Sequence, residues 1–151
     1  MKKLQALIHQ LNNLIAQQAT INNSISMTNV GWHIEHSLLT INVITNAIKN
    51  AEPTNFKKRF NFAKLMVFTL NKIPRGRAKV PDVVKPLHFD AASLQQHVQL
   101  TTQNIQTLQT IGSDQYFKHP FFGYLNIKET IKFLNIHTNH HLKIIKDIIK
   151  N

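Results

Sequence analysis

Apolar residues recur every three or four positions through most of the chain, the spacing of one face of an amphipathic helix. Polar caps and turn residues separate these stretches, with Asn or Asp before a helix and Gly, Pro or Asn clusters after it. Four long helices are predicted, over residues 3–21, 28–50, 91–111 and 127–150. The last should begin at Asn126, because Glu129 three residues later completes an Asn-based capping box.

Two segments between these helices have a different pattern. A shorter helix is predicted over residues 55–70, capped by Thr54, followed by an irregular connection at 71–89 with three prolines. Residues 116–124 form an aromatic loop, which is too apolar to stand free in water and should fold over the protein. We therefore expect a bundle with an extra short helix and a long connection between helices two and three.

Composition supports an all-α protein, a single domain over residues 1–151 with one core. The chain has 151 residues, 42% of them hydrophobic, with only 4 glycines. It has no cysteine, so a transition-metal site would have to use nitrogen and oxygen ligands. No stretch approaches the length of a membrane span, and we expect a cytoplasmic protein with no membrane partner.

Charge is concentrated in one part of the sequence. Nine lysines and arginines and one acid lie within residues 57–85, here called the basic segment, which supplies +8 of the net +11. Arg75, Arg77 and Lys79 are its candidates for attracting an anion. Such a segment could draw nucleic acid, an anionic membrane surface or an acidic small molecule, or it could be a solvated basic loop.

The strongest chemical signal is the run His137-Thr-Asn-His140-His141 within the last helix. Residues four apart lie on adjacent turns of one helical face, offset by about 40°. His137 and His141 therefore face the core together, while His140 falls at its edge. This is the spacing of a two-histidine clamp for a divalent metal, although such pairs also arise by chance.

A two-histidine clamp needs a further ligand from another helix. Helix two contains His33 and His36; His36 shares its face with Trp32 and Leu39, whereas His33 lies on a more mixed face. His36 is thus the preferred third ligand, His33 is a neighbour or alternate, and His97 is the substitute if His36 fails. Three imidazoles would leave coordination positions open, as in catalytic sites, with zinc as the default and nickel, iron or manganese as alternatives.

The sequence resembles the DinB/YfiT-like superfamily of metal-dependent enzymes, specifically an uncharacterised bacterial branch. Three stretches carry the resemblance, in this order: His33-Ile-Glu-His36-Ser37, His119-Pro-Phe-Phe-Gly123 and His137-Thr-Asn-His140-His141-Leu142. The resemblance implies an up-down four-helix bundle with a metal held by His36, His137 and His141. His33, His119 and His140 would then lie beside the ligands or at the rim of the site.

Characterised relatives include thiol-dependent transferases, so the resemblance implies a small-molecule substrate and a low-molecular-weight thiol. Our leading hypothesis is a metal-dependent thiol S-transferase or hydrolase, in which the metal activates a thiol or water. One alternative is a non-catalytic binding bundle that forms a homodimer. A less favoured one is a nucleic-acid binder that uses the basic segment. Glu35 and His140 are candidates for the general acid or base, with Glu35 expected to be a solvated helix charge.

Overall fold

The computed structural model describes residues 1–57, 59–76 and 79–150. Over these residues the chain is mostly helical with one small antiparallel sheet. Its elements are α1 (Lys2–Asn12), α2 (Val30–Lys49), α3 (Phe62–Leu70), α4 (Ala91–Leu108), β1 (Tyr116–His119), β2 (Gly123–Asn126) and α5 (Ile127–Lys150). Short 3-10 turns occur at Ile15–Gln17, Pro53–Asn55 and Asp82–Val84.

Four of the helices share one hydrophobic core. α2 packs against α4 and α5, and α1 packs against the same two helices. Each contributes an inward stripe of fully buried aliphatic side chains, such as Leu4, Ile34, Leu94 and Leu134. α2 is buried on more than one side because it contacts both α4 and α5. The predicted long helices are therefore present, and the core lies between them.

The first helix is shorter than predicted. It ends at Asn12 instead of near residue 21 and is followed by the turn at Ile15–Gln17. After that turn, the carbonyls of Gln18 and Thr20 accept hydrogen bonds of 2.9 Å from the first amides of α2, at Gly31 and Val30. The first amides of a helix have no hydrogen-bond partner within that helix, and here the carbonyls of the segment after α1 supply the acceptors.

The extra helix also begins later than predicted, at Phe62 instead of residue 55, and Thr54 is not its cap. Asn61 is a better start because its side chain makes two bonds. Its Oδ1 accepts from the amide of Lys64 at 2.8 Å, and its Nδ2 donates to the carbonyl of Phe121 at 2.9 Å. Asn61 thereby caps α3 and joins it to the aromatic segment.

The aromatic segment is a β-hairpin instead of a loop. β1 pairs with β2 in antiparallel register, from Tyr116 opposite Asn126 to His119 opposite Gly123. The turn between them contains Pro120, and Gly123 has a positive φ of 70°, which favours glycine. Phe122 and Leu125 are buried against the helices, as the apolar composition predicted. Among the described helices, none is both long and apolar enough to cross a membrane.

The start of α5 is the capping box predicted from Asn126 and Glu129. The Oδ1 of Asn126 accepts from the amide of Glu129 at 2.9 Å, and the carboxylate of Glu129 accepts from the amide of Asn126 at 3.1 Å. Glu129 also forms a 3.0 Å ion pair with Lys64 of α3. The box therefore fixes the start of the helix that carries the histidine run.

We predict that Asn126→Ala lowers the free energy of unfolding by about 1 kcal/mol, because the Glu129 amide loses its acceptor. Asn126→Asp keeps an acceptor oxygen and should retain most of the stability. Urea unfolding of the three proteins checks this. An alanine variant as stable as the parent would contradict the capping role.

Candidate metal centre

Three imidazoles from two helices converge in the core. His36 of α2 and His137 and His141 of α5 each offer one ring nitrogen, and these nitrogens all lie within 4.8 Å of one another. His36 and His141 are only 4% and 8% exposed. We call these three residues the histidine cluster. They are the three residues that the facing argument placed together.

The nitrogens of His36 and His137 lie at a distance suited to sharing one ion. Their Nε2 atoms are 3.2 Å apart. Two imidazole nitrogens on a tetrahedral zinc ion would be about 3.3 Å apart, given zinc–nitrogen bonds of about 2.0–2.1 Å. The widest separation in the cluster is larger, so the third ring would have to shift inward to complete such a site.

The tautomer of His36 is fixed by the backbone. Its Nδ1 lies 2.8 Å from the carbonyl oxygen of Val84, which can only accept, so Nδ1 carries the hydrogen. Nε2 then keeps its lone pair and points to His137. Burial lowers the pKa of His36, and the bond to Val84 offsets part of that effect. A carbonyl behind a histidine ligand orients the ring in many metal sites.

His141 is backed by a short polar chain. Its Nδ1 lies 3.0 Å from Nδ1 of His33, and Nε2 of His33 lies 2.9 Å from the Ser26 hydroxyl and 3.1 Å from the Thr28 hydroxyl. If Nε2 of His141 donates its lone pair to an ion, its Nδ1 carries the hydrogen and donates to His33. His33 then donates from Nε2 to a hydroxyl. His33 therefore lies behind His141 and is a neighbour of the cluster.

All three cluster histidines favour the neutral form. The pKa values of His137 and His141 lie well below the usual 6.5, first because both rings are buried and then because other histidines surround them. His137 also has a buried Nδ1 without a hydrogen-bond partner. Neutral imidazole is the form that binds metals, so the cluster is ready to act as a ligand set at neutral pH.

Aromatic rings wall the cluster. Trp32 stacks on His36, with ring centroids 5.1 Å apart and planes 19° apart, and Phe133 lies 5.5 Å from His137. His119 of the hairpin stacks on Phe122 at 4.4 Å and meets the edge of Phe133 at 4.6 Å. The hairpin histidine therefore packs behind Phe133, and its imidazole contacts these rings.

The basic segment covers the other side of the cluster. Val84 contacts His36, and the backbone of Ile73 accepts a hydrogen bond from His140. Burial, and then the charge of Arg75, lowers the pKa of His140 to about 4. Arg75 itself donates to Asp147 of α5 at 2.6 Å. Arg75, a candidate for attracting an anion, is therefore already paired with a carboxylate of the protein.

The remaining predicted residues divide into three groups. Lys79 is exposed, and Arg77 lies outside the described residues. His97 lies away from the cluster and pairs with Glu35, at 2.7 Å between Nδ1 and a carboxylate oxygen. The expectation that Glu35 is a solvated charge is therefore wrong, since it is 3% exposed and bridges α2 to α4.

Sequence reasoning missed three features of the site: the Val84 carbonyl, the Ser26 and Thr28 hydroxyls, and the stacking of Trp32. A backbone carbonyl has no sequence signal, because every residue carries one. The hydroxyls lie on a loop, outside any periodic pattern. The sequence placed Trp32 on the same helical face as His36, and this shared face was the one indication that the two rings are in contact.

The buried histidines should make the protein acid-sensitive. Burial lowers the pKa of His119 to about 4 from 6.5, so between these values the unfolded chain binds the proton and the folded chain does not. Stability from this residue is complete above pH 6.5 and is lost as the pH falls toward about 4, at about 1.4 kcal/mol per pH unit.

We predict that His119→Asn flattens this pH dependence, because asparagine cannot titrate but can still accept from the amides of Phe121 and Phe122. Urea unfolding with a chelator present, over the same pH range, measures the slope. The matched control is Ile105→Val, a buried residue of α4, which should lower stability at every pH and leave the slope unchanged. An unchanged slope in His119→Asn would contradict the assignment.

Comparison with known proteins gives one family match. A family model described as the DinB superfamily matches residues 2–145, nearly the whole chain. No curated protein and no solved structure matches the chain.

Proposed function

The chain belongs to the DinB superfamily, and from that premise we propose that it is an enzyme that uses a divalent metal ion to activate a thiol or a water molecule. The observation that carries the proposal is the convergence of His36, His137 and His141 from two helices. The proposed architecture is an up-down bundle of α1, α2, α4 and α5. Interior sites of this kind are how helix bundles hold metals.

The residues present fit a metal ion. Nε2 of His36 and Nε2 of His137 face each other at 3.2 Å, and the backbone has already fixed a lone pair on the former. No carboxylate or thiolate belongs to the cluster, so the ligands are three neutral nitrogens. Such a set suits zinc, nickel, iron or manganese, with zinc as our first choice.

When bound, the ion would lower the pKa of a coordinated water to near 7 or ionise a coordinated thiol. Three protein ligands leave room for that molecule. The protein orients the ligands, since Val84 fixes the ring of His36 and His33 orients His141. Trp32, stacked on His36, excludes water from one side of the site. His140 stays neutral at the rim, since its pKa lies at about 4.

The substrate is a small molecule, and a low-molecular-weight thiol is our proposed co-substrate. The basic segment supports an anionic group on one of them, because it contacts His36 through Val84 and His140 through Ile73, and its residues Lys57, Lys72, Lys79 and Lys85 are exposed. Free cations at the mouth of a site raise the local concentration of anions. S-transfer and hydrolysis both remain consistent with this arrangement.

We predict about one divalent ion per chain in protein loaded with zinc and desalted. His137→Ala should reduce this to near zero, because the remaining two nitrogens come from different helices. His9→Ala, an exposed histidine of α1, is the control and should retain the ion. Elemental analysis gives the stoichiometry. Full loading of the His137 variant would refute the proposed ligand set.

We predict that His33→Phe weakens zinc binding by about 10–100-fold, because His141 loses the acceptor that orients it. Val43→Phe is a control for added ring volume on the same helix. Competition with a chromogenic chelator measures the affinity. Equal affinity for the His33 variant and the parent would show that His33 has no such role.

A cobalt-loaded protein separates thiol chemistry from water chemistry. Direct thiol coordination should produce a sulfur-to-cobalt charge-transfer absorption when a small thiol such as glutathione is added, and His137→Ala should abolish it. Absence of that absorption over a range of thiols would leave the hydrolase form of the proposal. If neither thiols nor a small anion such as azide changes the cobalt spectrum, the open coordination position is refuted.

The alternatives make different predictions. A nucleic-acid binder would bind oligonucleotides with an affinity that falls steeply with salt and survives substitution of the histidine cluster. A non-catalytic homodimer would bind the ion without any response to thiols or to substrates. The buried cluster favours the enzyme over the nucleic-acid binder, because phosphate contacts need no interior imidazoles.

A further inference from the structure

The outer side of α3 is apolar, the reverse of an ordinary surface helix. Phe62, Leu65, Met66 and Leu70 are 66%, 50%, 42% and 61% exposed, and Phe60 just before the helix is 82% exposed. At 100° per residue the four helical side chains fall within an arc of about 140°. We call them, with Phe60, the outer apolar face.

The polar anchor of α3 lies on its inner side. Lys64 pairs with Glu129 of α5 at 3.0 Å, and Phe68 lies under the ammonium group of Lys132 at 5.7 Å. The helix is therefore fixed to the protein by Lys64 and half-buried Val67 and Phe68, with its larger apolar surface toward solvent. Exposed clusters of this kind mark an interaction surface.

The surroundings of α3 are cationic. No acid occurs in residues 53–81, whereas eight lysines and arginines do. A groove of about 310 Å³ lies next to the end of α3. Its lining includes Asn71, which follows Leu70, and three lysines, Lys3, Lys128 and Lys132. The groove thus offers cations for a phosphate.

We propose that the outer apolar face docks on an anionic phospholipid bilayer, with α3 inserted at the interface and a lipid headgroup in the adjoining groove. Protruding aromatic and aliphatic side chains beside a basic surface are the pattern of interfacial helices. The proposal departs from the sequence-based expectation of no membrane partner, because only the structure places these side chains on the outside.

A second copy of the chain is a poorer occupant. A symmetric contact through α3 would bring two basic segments together, each with a net charge of +8. An anionic bilayer instead neutralises that charge. The exposed side chains of α3 lie on one side of the helix, which suits insertion among lipid headgroups.

Vesicle co-sedimentation tests the proposal with the whole protein. We expect binding to vesicles of about 30% phosphatidylserine in phosphatidylcholine, and at least tenfold weaker binding to phosphatidylcholine alone. Phe60→Ser with Phe62→Ser should weaken binding at least about tenfold. The matched control is Ile21→Ser with Leu100→Ser, two exposed apolar residues outside α3, and should leave binding unchanged.

The groove has its own variant. Lys3→Gln with Lys128→Gln should weaken binding to the anionic vesicles, whereas Lys49→Gln with Lys118→Gln removes the same charge elsewhere and should have a smaller effect. Circular dichroism confirms that every variant is folded.

Three results would overturn the proposal. The first is absence of binding to the anionic vesicles, and the second is equal binding by the Phe60/Phe62 variant and the parent. The third is a concentration-dependent dimer in light scattering that the serine variants abolish, which would identify a second copy of the chain as the occupant. Metal content is measured separately, so failure here does not affect the proposed metal site.

Discussion

The structure depends on the burial of facing imidazole nitrogens, Nε2 of His36 and Nε2 of His137, 3.2 Å apart in an apolar core. Burial lowers the pKa of both rings and favours their neutral forms. The Val84 carbonyl leaves a lone pair on Nε2 of His36, so the contact requires either a hydrogen on Nε2 of His137 or a cation between the two nitrogens. The interior between α2 and α5 is therefore built around this pair of nitrogens.

This constraint extends outward through hydrogen bonds of fixed direction. The carbonyl of Val84 determines which nitrogen of His36 keeps its lone pair, so the connection before α4 must stay in contact with α2 to maintain this tautomer. Ser26 and Thr28, on the loop before α2, contact His33, and His33 in turn contacts His141, so this loop helps to orient His141. Loops with no periodic pattern thus orient the rings of His36 and His141, and their conformation would affect the affinity of the proposed metal site.

The parts that could be predicted from sequence are those governed by local geometry. Helical offsets placed His137 and His141 on one face and preferred His36 over His33, and cap chemistry located the start of α5 at Asn126. The failures have tertiary causes. The residues after α1 form a turn and a loop whose carbonyls bond the first amides of α2, and Glu35 is buried because α2 contacts both α4 and α5 and so has little solvent-facing side.

The segment between α2 and α4 connects the two proposals. Its later part contacts His36 of the histidine cluster through Val84 and the neighbouring His140 through Ile73, while its earlier part forms α3 with an outer apolar face. α3 ends at Leu70, only three residues before Ile73. A surface bound by α3 would thus act close to the segment that covers the proposed metal ligands. Docking would bias the position of this cover only if the surface binds the seated conformation more tightly than a displaced one.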